Sequence, residues 1–307
     1  MALIFHISGG SISSINIQPE SPIPGGEVMT LFRNESINHS HMQHAYAVID
    51  FVLDSLKFST AVTREDLVFK VSLADVRDAG TDQHFGFCSK KSEPLNLIPD
   101  PYFIKSKSYS NDESHARPFE SRIAKLFWRG MASFPLKTGD IYEEIPRVKA
   151  ALTLLTNPNA DVKVYCPGPS SKYFDTKELE LGYLSSLDIL GRPFPMDEWA
   201  KYKFTLDVDG FGSAWGFFHK LKIGMVVLKV ESELVQWFNQ YLEPYVHYIP
   251  VAADLSDLQE KLSFISQNNS LSSEISKNAI EVASRLNYEF ACRDFIRKLN
   301  SFKLESV

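Results

Sequence analysis

Cysteine is scarce in this chain. Cys88, Cys166 and Cys292 are the three in 307 residues, far apart and without a metal-type pair. Three cysteines so placed read as buried thiols in a reducing compartment. Long apolar runs are missing too: no stretch approaches the ~20 apolar residues a membrane span requires. The opening MALIFHISGGSISSI lacks the basic region of a signal peptide, and the closing LESV is not a retention signal. Positive charge is in deficit, with 32 Lys and Arg against 38 Asp and Glu and a net charge of −6. This argues against a nucleic-acid partner, since neutralising phosphates takes clustered cations. These deficits predict a cytoplasmic protein long enough for two modest domains. Four scattered lysines, Lys201, Lys203, Lys220 and Lys222, leave open a peripheral contact with the inner leaflet.

What is present is a periodic α/β series between Lys201 and Leu258. Phe204 to Val208 reads as a buried strand, and Asp209-Gly210-Phe211-Gly212-Ser213 as a sharp turn. Ala214 to Ile223 reads as a helix stopped by Gly224. A strand Met225 to Lys229, a helix Glu233 to Leu242 and a strand Val246 to Val251 complete it, with Asp254 and Ser256 before a helix near Leu258. Such a series makes a parallel sheet with crossover helices, and its strand-to-helix loops are where phosphates bind. Gly210, Gly212 and Gly216 miss the dinucleotide fingerprint by one residue, which argues against an NAD enzyme. A purely structural turn would leave the same trace.

Residues 1–36 suggest short strands and turns. His39, His41 and His44 invite a metal reading, but they precede an amphipathic helix over Ala45 to Leu56 and have no carboxylate or cysteine at ligand spacing. Leu67 to Leu73 is a strand, which puts Asp75 at a carboxyl end, where open α/β sheets place ligands. Lys105 to His115 reads as an exposed loop. Lys125 to Gly130 and Ala160 to Tyr165 are strands, Tyr183 to Leu190 a short helix and Ser273 to Phe302 helical by period. Asp207-Val208-Asp209 has the form of a DxD metal motif, yet it sits at a strand-to-glycine-loop junction of a Rossmann-like series, so no metal is predicted.

The central stretch resembles glycosyltransferase family 90, which holds the Rumi-type protein O-glucosyltransferases, the fungal capsule-associated xylosyltransferases and bacterial lipopolysaccharide-modifying homologues. The residues that carry the resemblance are Tyr202-Lys203-Phe204, Asp209-Gly210, Gly224 with Val226-Val227-Leu228-Lys229, Glu233 with Trp237-Phe238, and the run Pro244 to Val251 leading to Asp254-Leu255-Ser256-Asp257-Leu258. Upstream, Lys125-Leu126-Phe127-Trp128-Arg129-Gly130 matches a second hallmark, and Phe85 to Lys90 and Ile98 to Phe103 match weaker ones. The resemblance implies an α/β protein of two Rossmann-like domains facing across a cleft (GT-B-like), with the C-terminal helix crossing back. The expected divisions are 1–118 on the acceptor side, 119–275 for the nucleotide sugar and 276–307 for the crossing helix.

By the same resemblance the chain is an inverting, metal-independent glycosyltransferase. It would use a UDP-sugar as donor substrate and no cofactor, with a glycan or glycolipid acceptor such as a lipopolysaccharide core or capsule precursor. A protein O-glycosyltransferase and a non-catalytic nucleotide-sugar-binding relative are the alternatives. Asp75 matches the family's catalytic base, with Ser72 where the family has Asn and Asp78 as competing candidate. Arg129, Gly130, Asp209, Gly210, Phe211, Gly212, Ser213, Ala214, Lys220 and Glu233 are the expected UDP-sugar residues, Glu233 toward the ribose. Ser89, Lys90, Pro99 and Tyr102 are expected on the acceptor side. Arg147 matches a helix arginine of distant homologues or is a solvated charge. The animal enzymes carry Ser and Arg where Ala214 and Gly216 stand here.

Overall fold

The computed structural model describes residues 2–8, 11–18, 39–58, 67–74, 84–93, 96–110, 117–133, 141–166 and 174–301. In chain order the first elements are β1 (Ala2–Ser8), β2 (Ser11–Gln18), α1 (His39–Leu56), β3 (Leu67–Ser72), β4 (His84–Phe85), β5 (Ser89–Lys90) and α2 (Pro101–Lys105). Next come β6 (Ile123–Met131), α3 (Pro146–Thr153), β7 (Ala160–Tyr165), α4 (Lys177–Ser186), α5 (Met196–Trp199), β8 (Tyr202–Asp207), α6 (Phe217–Lys222) and β9 (Val226–Val230). The chain closes with β10 (Leu234–Val235), β11 (Ile249–Val251), α7 (Leu258–Gln267), α8 (Asn269–Arg285) and α9 (Tyr288–Ser301).

Contacts divide the chain into two compact units. The first gathers Met1–Ser108, Glu233–Gln240 and Leu286–Val307, and the second Tyr109–Ser232 and Tyr241–Arg285. The chain passes between them at 108/109, 232/233, 240/241 and 285/286, where divisions at 118 and 275 are expected from the sequence, and α8 stays whole within the second unit.

The first unit has a mixed sheet in the order β2-β1-β3-β4, antiparallel except for β3 with β4. Its core is phenylalanine. Phe5 stacks on Phe69 with ring centroids 5.0 Å apart. Phe295 of α9 lies 5.5, 5.7 and 4.9 Å from Phe51, Phe69 and Phe85. Aromatic rings bury large areas at favourable tilted geometries, so this cluster ties α1, β3, β4 and α9 into one body. After α2, Lys107, Ser108 and Tyr109 take left-handed φ angles of 49°, 63° and 55°. Ser108 and Tyr109 are buried, so this part of the segment read as an exposed loop is packed.

The second unit has five parallel strands in the order β11-β9-β8-β6-β7. With β6, β7, β8, β9 and β11 counted one to five, this is the doubly wound order 2-1-3-4-5. Its connections reverse between β6 and β8, and open sheets of this kind bind ligands at the carboxyl ends of the strands flanking such a point. One face of β8 packs Phe204, Leu206 and, just beyond the strand, Val208 into the core. The other buries Lys203, Thr205 and Asp207. Glycine is required at position 224, between α6 and β9. Its φ is +72°, and an added Cβ would lie 2.6 Å from Ile280 Cδ1.

Three segments differ from the periodic reading. Glu233 to Leu242 is not a helix: β10 pairs antiparallel with β5 of the same unit, and a 3-10 turn, Asn239–Tyr241, follows. Its near-continuous apolar run, Leu234, Val235, Trp237 and Phe238, fits a buried extended segment as well as a helix face. The described part of the helical segment from Ser273 is two helices, α8 and α9, broken at Leu286 and Asn287. The short helix expected at Tyr183 to Leu190 lies earlier, over Lys177–Ser186.

Candidate functional site

The carboxyl ends of β6 and β8 hold a turn built on two aspartates and two lysines. Asp207 ends β8 fully buried. Its Oδ1 accepts from Lys220 Nζ at 2.8 Å, and its Oδ2 lies 2.9 Å from Lys229 Nζ. Lys220 also donates to Leu206 O at 2.8 Å. Asp209 Oδ1 accepts from Lys229 Nζ at 3.1 Å and from the Ala214 N–H at 2.8 Å, and its Oδ2 accepts from the Ser232 hydroxyl at 2.6 Å. Burial works against ionising Asp207, but the two ammonium groups outweigh it and hold its carboxyl below the usual range. Burial likewise opposes the charge on Lys229, and its two carboxylates reverse the effect and raise it. For Lys220 burial wins and lowers it, helped by Lys229 and Arg147. The network fixes the turn that begins at Asp209. Gly210 N–H closes it by donating to Gly212 O at 2.9 Å.

Arg147, second residue of α3, reaches under this turn. It donates to Val208 O at 3.1 Å, to Met131 O at 3.2 Å and to Ser133 Oγ at 2.9 Å. A Cβ at Gly210 would lie 2.9 Å from its guanidinium carbon. Glycine lets the backbone lie this close to the cation without displacing the guanidinium, so the Asp209-Gly210 pair has a packing reason here. Burial lowers the Arg147 guanidinium, opposed by Asp207 and Asp209. The backbone N–H groups of Phe211, Gly212 and Ser213 have no acceptor among the described residues. Ser213 is 7% exposed and its hydroxyl has no partner there. Successive free N–H groups, a hydroxyl and a guanidinium at one turn suit an oxyanion.

Arg129 is elsewhere engaged. Its guanidinium donates to Trp128 O and Asp161 O, both at 2.8 Å, and lies 2.7 Å from Asp161 Oδ1 on β7. It also stacks over Phe127, 4.3 Å from that ring. The cation at the glycine turn is therefore Arg147, not Arg129. Gly130 follows on β6, packed against the Trp128 indole. Lys220 is sequestered as a counter-ion of Asp207, and the N–H groups of Gly210 and Ala214 are spent inside the turn. Lys203, Lys220 and Lys222 are buried, so they do not form a cationic membrane-facing surface.

A model described as Glycosyl transferase family 90 matches residues 105–293 of this chain. The chain belongs to glycosyl transferase family 90. Protein O-glucosyltransferase 1 of Rattus norvegicus is 35% identical over 127 residues, 40% of this chain and 32% of that protein. Protein O-glucosyltransferase 3 of the same species is 31% identical over 297 residues, 87% of this chain and 54% of that protein. The chain thus spans about a third of the first relative and about half of the second. Among solved structures, Anabaena HepE in complex with UDP and glucose matches with a TM-score of 0.44 and 11% identity, over 68% of this chain and 57% of that one. A glycosyltransferase of Rickettsia africae matches with a TM-score of 0.43 and 9% identity, over 73% and 64%.

The remaining described residues expected from the family 90 resemblance lie in the first unit. Glu233 is exposed and precedes β10 rather than opening a helix, and its carbonyl accepts from Lys91 N–H at 2.8 Å. Ser89 is buried in β5, Lys90 is exposed, Pro99 is buried and Tyr102 is 57% exposed on α2. Asp100, which the sequence reading passed over, caps α2 by accepting from Tyr102 and Phe103 N–H at 2.9 and 3.1 Å. Its Oδ2 is buried without a partner, and burial pushes the carboxyl up to about 7. Ser72 ends β3, its hydroxyl accepting from Ala74 N–H at 3.3 Å. Asp75 and Asp78, the two base candidates, lie outside the described residues. The histidine cluster opens α1, and among the described residues no group of three His, Cys, Asp or Glu is placed to hold a metal. His247 is structural, its Nδ1 accepting from Glu243 N–H at 2.9 Å. No described helix is long and apolar enough to cross a membrane.

Proposed function

We propose that this family 90 chain transfers a sugar (glucose, xylose or galactose) from a UDP-sugar to a glycan hydroxyl, such as one of a lipopolysaccharide core or capsule precursor, with inversion. The observation that carries the reading is the Arg147 guanidinium packed beneath Gly210 at the reversal point of the second unit's sheet. A departing diphosphate gathers negative charge. Fixed donors that need no reorganisation stabilise that charge most in the transition state. Arg147, the three free N–H groups of the turn and the Ser213 hydroxyl are such donors.

The reaction is a direct displacement. The acceptor oxygen attacks the anomeric carbon as the bond from that carbon to the β-phosphate oxygen breaks, and the electron pair leaves with UDP. The acceptor proton passes to a carboxylate, because a neutral hydroxyl is a poor nucleophile. By family resemblance that carboxylate is Asp75. Asp207 and Asp209 are unsuited to bridging a divalent ion. Their oxygens already face Lys220, Lys229, the Ala214 N–H and Ser232. This supports metal-independent transfer, for which activity should survive chelation.

UDP release from a panel of UDP-sugars with a glycan acceptor, alongside calorimetric binding of UDP, tests the reading. Wild type should bind UDP and release it from at least one donor. Arg147→Ala should weaken UDP binding, and Asp75→Ala should bind UDP without turnover. Absence of UDP binding in wild type would reject the nucleotide-sugar reading, and binding without turnover on any donor would favour the non-catalytic relative.

A further inference from the structure

Phe211 sits at the tip of the same turn and is 58% exposed, more than any other phenylalanine among the described residues. Most of the others are core residues, and eleven phenylalanines are fully buried. A flexible tip would explain an exposed ring simply, but this turn is fastened on both sides. Asp209 holds the Ala214 N–H at 2.8 Å, Gly210 N–H is closed on Gly212 O at 2.9 Å, and Arg147 lies against the Gly210 backbone. The ring is thus held out by a rigid support, which is how a contact surface for a ligand is built.

The position says which part of a ligand meets it. The Phe211 N–H belongs to the run of free donors that suits a phosphate, so the ring departs from a backbone atom of the anion site itself. Whatever lies on the ring is the first group beyond a phosphate. In a nucleotide sugar that group is a sugar at either end of the diphosphate, while the base is held one ring further away. A pyranose presents a face of C–H bonds whose partial positive charge complements the negative face of an aromatic ring. We infer that the Phe211 ring is the platform on which the transferred sugar of the donor lies, and that it orients that sugar for displacement. This rests on the nucleotide-sugar reading above.

The test compares affinities for UDP and for the intact UDP-sugar by calorimetry, in wild type, Phe211→Ala, Phe211→Trp and Arg147→Ala. Phe211→Ala should keep the wild-type melting temperature and UDP affinity and lose about three- to tenfold in affinity for the UDP-sugar, the size of one aromatic contact. Phe211→Trp should restore it. Arg147→Ala should weaken UDP and UDP-sugar alike. Equal losses for UDP and UDP-sugar in Phe211→Ala would mean that the ring meets the ribose or base, and overturn the inference. So would unchanged affinity for both, with or without a raised KM for the acceptor. If wild type binds neither compound, it is the nucleotide-sugar reading that fails.

Discussion

At the scale of single residues the site turns on a cation and the space that admits it. Gly210→Ala adds a methyl 2.9 Å from the Arg147 guanidinium carbon, which its hydrogen bonds to Val208, Met131 and Ser133 otherwise hold in place. The expected outcome is a loss of UDP affinity of roughly tenfold, and a Gly210→Ala/Arg147→Ala pair no worse than Arg147→Ala alone, since the two act through one group. Additive losses in the calorimeter would contradict that coupling. Asp207→Ala leaves Lys220 buried without its counter-ion and Lys229 with Asp209 alone, and breaking a buried pair this way costs about 3–5 kcal/mol. A urea unfolding midpoint indistinguishable from wild type would refute the role given to this carboxylate. The turn was legible in the sequence as Asp209-Gly210-Phe211-Gly212-Ser213, but its cation was not. Arg129 stands in a hallmark motif, whereas the pairing of β6 with β7 sets Asp161 opposite Phe127, within reach of the Arg129 guanidinium. Arg147 carried a weaker signal, proline followed by arginine at the start of the helix after β6, and nothing in one dimension brings it to Gly210.

At the scale of elements, α2 carries the clearest dependence on acidity. Its cap, Asp100, is 1% exposed, and burial lifts its carboxyl from 3.8 to about 7. The folded chain therefore keeps a proton that the unfolded chain releases. Stability from this group is fully present below about pH 4, declines as pH rises, and is lost through about pH 7. Asp100→Asn retains a good capping side chain and cannot ionise. Its unfolding free energy should show a shallower fall between these limits and exceed wild type at pH 8; parallel profiles would count against the assignment. Elements whose register is set locally were legible: β3, β6, β7, β8, β9 and α6 lie close to where period and punctuation put them. β10 was not, because its partner β5 stands more than a hundred residues earlier. Apolar residues without a clear period leave helix and strand undecided until a partner is known.

At the scale of the molecule, the first unit is assembled from three separated segments, and Phe295 from the last of them sits among Phe51, Phe69 and Phe85. Phe295→Ala should cost about 3–5 kcal/mol, as for other large core truncations. Hydrogen exchange should register it as lost protection in β1, β3 and α1, with the protection of β6, β8 and β9 kept; uniform loss would show that the units do not open separately. This threading also has a consequence for synthesis. The parallel sheet and its helices are complete once residue 285 has left the ribosome, whereas the first-made strands wait for α9. Until α9 emerges the nascent polypeptide carries an open phenylalanine surface while the whole second unit is being made, and holdase chaperones would have the strands translated before that unit to shield.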